Sequence, residues 1–97
     1  MSMFNQAKTL YELKKIQSAL AKETIEVEAG NGAVIVQING EQKIKKITID
    51  PELIDTAEIH KLEKWIESAV TQAITKSQQL AAEKMKSVAG GLGIPGL

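Results

Sequence analysis

Cysteine is absent from this 97-residue chain, histidine occurs once, and the aromatics are a single Trp, Tyr and Phe. Without thiols there is no disulfide framework, no thiolate nucleophile and no cysteine-based zinc cluster, and such a composition suits a reducing cytosol. Arginine is missing too: the 12 cationic side chains are all lysines, so the planar fork that reads guanine through two hydrogen bonds is unavailable. Neither sign of charge dominates, because 12 acids balance the lysines, and attraction for a polyanion has to come from local asymmetry. No apolar run approaches the roughly 20 residues of a membrane span. The start Met-Ser-Met-Phe-Asn-Gln lacks the basic lead and apolar core of a signal peptide. These absences predict one cytoplasmic domain, small enough that a second copy would add useful buried surface.

What the chain does have is concentrated between Thr24 and Pro51. Ile25, Val27 and Ala29 alternate with Glu26 and Glu28, and Val34, Val36 and Ile38 alternate in the next run, the two-residue period of a strand with one buried face. Gly30, Asn31 and Gly32 tolerate the positive φ of a tight loop, and Asn39-Gly40 is the favoured pair for a type I′ turn. A third strand follows with Ile47 and Ile49 in phase and Ile44 out of step, which predicts a bulge near Lys45-Lys46 in preference to a strand that begins after Ile44. The three strands form an antiparallel meander.

Helical spacing flanks this meander on both sides. From about Phe4 to Lys22, Leu10, Leu13, Ile16, Gln17 and Leu20 share one face, whereas Lys8, Lys15 and Lys22 recur at sevenfold spacing on the other, with Lys14 beside them and Glu12 close by. A second helix is expected from about Ala57 to Val88, with Asp50 and Asp55 as capping residues ahead of it. Its apolar side carries Ile59, Leu62, Ile66, Ala69, Val70, Ala73, Ile74, Ser77, Leu80, Ala81 and Val88, and its small residues suit the close approach of another backbone. A helix of roughly 30 residues is about 45 Å long against about 17–20 Å for a short strand, so much of it must overhang the sheet. A symmetric homodimer is the economical cover for that overhang, with the first helix alone as the competing explanation.

Catalytic groupings are thin. His60 stands alone among Glu58, Lys61 and Glu63 at a helix start, where a solvated or capping role is expected, and Tyr11 and Trp65 sit on different helices and make no stacking platform. The Gly- and Pro-rich stretch from Gly90 ends the second helix and lacks the Lys-Ser/Thr pair of a phosphate loop, so residues 90–97 read as a flexible tail to a domain of residues 1–89. No metal, cofactor or small-molecule ligand is expected, and no enzymatic activity.

The element order, the run Gly32-Ala33-Val34-Ile35-Val36-Gln37-Ile38-Asn39-Gly40, the exit Ile44-Lys45-Lys46-Ile47-Thr48-Ile49-Asp50-Pro51-Glu52-Leu53, and a long helix containing Ala69, Ala73 and Glu83-Lys84-Met85 resemble the YbaB/EbfC family of bacterial nucleoid-associated proteins. That resemblance implies an α+β tweezer-like homodimer whose sheets associate and whose projecting helices hold duplex DNA in the nucleoid. The chain departs from many members in lacking Arg and a longer Gly- and Met-rich N-terminal lead, so phosphate contacts with little base discrimination are expected. The candidate anchors are Lys8, Lys14, Lys15 and Lys22 on the first helix and Lys76, Lys84 and Lys86 toward the free end of the second. Lys61 and Lys64 rank lower because acids surround them. A dimeric adaptor that grips a protein instead of DNA is the alternative.

Overall fold

The computed structural model of the chain describes residues 3–91, with side chains described over residues 8–87. Helix α1 (Met3–Lys22) leads into β1 (Thr24–Ala29), β2 (Val34–Asn39) and β3 (Ile44–Ile49), and helix α2 (Ile59–Gly91) closes the order after two short 3₁₀ turns, Pro51–Leu53 and Thr56–Glu58. Asp50 Oδ1 accepts from the Glu52 N–H and Asp55 Oδ1 from the Ala57 N–H. Both acids therefore cap, as expected, but they cap the 3₁₀ turns, and α2 begins two residues later than the sequence spacing suggests. The flexible tail proposed for residues 90–97 lies outside the described residues from residue 92 onward, and the Val88 side chain is also outside them.

The sheet is a meander in the order β1-β2-β3, antiparallel throughout. Gln37 pairs with Lys46 but Ile38 pairs with Ile44, so Lys45 is the extra residue of the expected bulge. The shift restores Ile44 to the phase of Ile47 and Ile49. At the first hairpin, Gly30, Asn31 and Gly32 all have positive φ, 65°, 54° and 89°.

The second hairpin differs from its expectation. Neither Asn39 nor Gly40 has positive φ; the left-handed residue is Gln42, at 66°. Gln42 N–H donates to the Asn39 carbonyl at 3.2 Å and Asn39 N–H to the Lys43 carbonyl at 2.9 Å. This is a three-residue loop, a turn followed by one left-handed residue, in place of a type I′ turn. Asn39 holds it shut: its Oδ1 accepts from the N–H of both Glu41 and Lys43. Gly40 is needed for closeness. A Cβ there would stand 2.7 Å from Leu20 Cδ2 and 2.9 Å from the Leu20 carbonyl, which accepts the Gly40 N–H at 2.8 Å.

Val27, Val34, Val36, Ile38, Ala69 and Ala73 form the core, flanked by Ile25, Leu62, Trp65, Ile66 and Val70. Helix α2 crosses β1 and β2 and does not approach β3. Ala69, Ala73 and Ser77 are wholly buried. The small side chains thus allow the close backbone approach that the sequence suggested, and the backbone they admit is the protein's own sheet. Trp65 packs over Gly30 at one end of the sheet. At the other end Ser77 Oγ donates to the Asn39 carbonyl at 2.8 Å and accepts the Gln42 N–H at 3.0 Å. The stretch from Trp65 to Ser77, twelve rises or about 18 Å of helix, covers the sheet, and α2 runs on to Gly91 beyond it.

Candidate nucleic-acid interface

Helix α1 is held by its C-terminal part. Ile16 and Leu20 are buried and Leu13 is half-buried, whereas Leu10 is 60% exposed, so the N-terminal part of the apolar stripe stands clear of the core. Gly40 and Asn39 fasten the other end, through Leu20 as above and through Asn39 Nδ2, which donates to the Ala21 carbonyl at 3.4 Å. A helix anchored at one end projects as an arm.

The side of that arm facing water carries Lys8, Lys14, Lys15 and Lys22, all exposed. Glu12, whose nearness weakens the stripe in sequence, is half-buried. The ion pairs among the described residues involve Lys43, Lys61, Lys64, Lys84 and His60, and leave these four lysines with no carboxylate within 4.0 Å. From Lys8 to Lys22 the stripe is about 21 Å long at 1.5 Å per residue, the axial rise of about six phosphates of one DNA strand. Uncommitted ammonium groups at this spacing can replace counterions along a polyanion.

On α2 the three candidates separate. Lys76 and Lys86 are exposed, but Lys84 is half-buried and lies 3.6 Å from Glu23. Glu23 follows Lys22, so this contact brings the base of the α1 stripe beside the overhanging part of α2. Lys61 and Lys64 are engaged with Glu58 at 3.0 Å and Glu67 at 4.0 Å, consistent with their lower rank. His60 is fully exposed, 3.3 Å from Glu63. Among the described residues no group of three or more His, Asp or Glu is placed to hold a metal, and no helix is long and apolar enough to cross a membrane. A small cavity of about 190 Å³ beside the 3₁₀ turns is lined by Leu53, Ile54, Asp55, Glu58, Lys61, Leu62 and Trp65, with no nucleophile and base brought together.

A feature invisible in the sequence lies on β3. Ile44, Ile47 and Ile49 pair with Ile38, Val36 and Val34 and so point to the helix side of the sheet, yet they are 41–43% exposed because α2 passes over the other two strands. Leu53 and Ile59 nearby are exposed as well. Among the described residues this strand therefore presents a contiguous uncovered apolar surface. Ile74, expected on the α2 overhang, instead packs against the core, and on the overhang itself Leu80 and Ala81 are half-buried and Met85 is exposed. Alternation announced which face of β3 was apolar; nothing local could say that the helix would miss it.

A small α+β protein with lysine-bearing helices projecting from a three-stranded meander is the class these elements define. A model of the YbaB/EbfC DNA-binding family matches residues 1–92, and the chain belongs to that family. A nucleoid-associated protein of Syntrophobacter fumaroxidans is 40% identical over 93 residues, covering 95% of this chain and 84% of the relative. One from Thermoanaerobacter pseudethanolicus is 36% identical over 97 residues, covering 99% and 87%. Among solved structures, an uncharacterized protein from Helicobacter pylori shares the fold with a TM-score of 0.60 over 91% of this chain and 95% of its own, at 19% identity. The family is described as DNA-binding and the two sequence relatives are named nucleoid-associated proteins, neither being the description of an enzyme.

Proposed function

We propose that this protein is a nucleoid-associated protein that binds duplex DNA as a homodimer, with the lysine stripe of α1 and Lys76 and Lys86 of α2 as phosphate anchors and Lys84 as a weaker one. The observation that carries this reading is the exposed, carboxylate-free row of Lys8, Lys14, Lys15 and Lys22 on an arm held at one end. Membership of a DNA-binding family supports the polyanion as its partner. Lysine is a mobile point charge, so contacts of this kind fix position on the backbone and discriminate little between bases. The homodimer is supported by β3: three isoleucines on the helix side of an edge strand, without a helix over them, are the surface a second copy would cover.

Fluorescence anisotropy of purified protein with a labelled random duplex, titrated at several salt concentrations, tests the DNA reading. Changing Lys8, Lys15 and Lys22 together to Gln should weaken binding and flatten the log-affinity against log-salt slope by about 2.7, about 0.9 for each contact. The same change at Lys43, Lys61 and Lys64, which already face carboxylates, should do much less. Equal effects of the two triples would reduce the stripe to diffuse electrostatics. No binding by the unmodified protein even at low salt would overturn the DNA reading in favour of a protein-gripping adaptor.

A further inference from the structure

We infer that Tyr11 and Ser18 are phosphate-contacting residues of the α1 arm, supplying neutral hydroxyl donors between the lysines; this rests on the DNA reading above and deepens it. The spacing 11, 14, 15, 18 is that of one helix face, and Tyr11, Lys14, Lys15 and Ser18 line a single shallow depression on it. Tyr11 is 65% exposed and Ser18 is exposed too, so neither side chain contributes much to the core. Neither hydroxyl has a hydrogen-bond partner among the described residues. A large aromatic left in water at the centre of a basic stripe, with its polar end unpartnered among the described residues, is an amphipathic contact group.

The two kinds of donor have different physical roles. Ammonium groups attract phosphate over distance and release counterions, whereas a hydroxyl carries no charge and acts only in contact, where its directional hydrogen bond fixes the oxygen it meets. Tyr11 and Ser18 are about 10 Å apart along the helix axis, so they reach different phosphates of one strand. Together with Lys14 and Lys15 they form a short track of four donors.

The separation of roles gives the test. Tyr11→Phe and Ser18→Ala, measured by anisotropy on the full-length protein with a random duplex, should each lower affinity about threefold to tenfold while leaving the salt slope unchanged, because a neutral hydrogen bond is lost and no counterion is involved. Lys15→Gln should lower both affinity and slope, the latter by about 0.9. Circular dichroism should show the same melting curve for Tyr11→Phe as for the unmodified protein. If the protein binds, Lys15→Gln weakens it, and Tyr11→Phe and Ser18→Ala bind like the parent, this inference falls while the lysine reading stands. If Tyr11→Ala weakens binding but Tyr11→Phe does not, the ring makes the contact and the hydroxyl assignment is wrong. If the parent does not bind at low salt, both readings fall.

Discussion

Strands β2 and β3 are neighbours with the same alternation on the same face of one sheet, yet their fates differ. Val34, Val36 and Ile38 are wholly buried beneath α2, while Ile49, Ile47 and Ile44, their cross-strand partners, are each more than 40% exposed. The difference is not chemical, since isoleucine is at least as apolar as valine. It is positional: a helix about 10 Å wide covers two strands set about 4.8 Å apart, and α2 lies over β1 and β2. The same hydrophobic pattern therefore builds the interior on one strand and leaves an adhesive surface on the next.

The strongest way to break this comparison is to shorten one isoleucine on each strand. Ile38→Ala should destabilise the protomer by about 2–5 kcal/mol, a fall of about 10 °C or more in melting temperature for a chain this size. Ile47→Asp should instead leave the circular dichroism spectrum intact and reduce the sedimenting mass toward the 10.5 kDa of a single chain, because a charge would enter the proposed contact between copies. Equal melting losses for both variants would show that β3 belongs to the protomer core after all. An unchanged dimeric mass for Ile47→Asp would move the interface elsewhere. Ala73→Asp, which the sequence spacing would assign to assembly, should unfold the protomer, since Ala73 is buried against its own sheet.

A smaller effect separates closeness from backbone conformation at the second hairpin. Gly40→Val should cost about 1–3 kcal/mol, because the added carbons meet Leu20 and force apart the junction of α1 with the sheet. Glu41→Gln, at an exposed position in the same loop, should change the melting temperature by no more than a degree or two. Indistinguishable melts would mean that the α1 junction yields freely. The smallest expected change is a gain: Gln42→Gly removes the strain of a left-handed side-chain-bearing residue and should raise stability by up to about 1 kcal/mol, part of which the flexibility of unfolded glycine offsets. A loss of stability there would mean that the Gln42 side chain contributes more than its backbone costs.

The two turns show where the sequence is legible and where it is not. Gly30, Asn31 and Gly32 announce positive φ and have it, because the requirement is local to the loop. Asn39-Gly40 announces the wrong turn, because Gly40 answers to Leu20, 20 residues earlier in the chain, and Asn39 spends its side chain on the Glu41 and Lys43 N–H groups. The lysines divide in the same way. Periodicity placed Lys8, Lys14, Lys15 and Lys22 along one exposed side of a helix, and the fold keeps them there. It could not reveal that Lys84, chosen for its place toward the free end of α2, would meet Glu23 at the junction of α1 and β1.

What the sequence by itself determined is everything with a short period: the helices, the strands and their bulge, the capping acids, the apolar side of each element and the basic side of α1. These follow from the two-residue and 3.6-residue repeats and from turn chemistry, which act within a few residues. The tertiary structure alone decided which two strands α2 covers, that Ala69, Ala73 and Ser77 admit the protein's own sheet, that β3 stays bare, and which lysines keep their charge uncommitted. Those outcomes depend on the lateral placement of whole elements, which is set by side-chain volumes meeting across the core and leaves no periodic trace in any one segment.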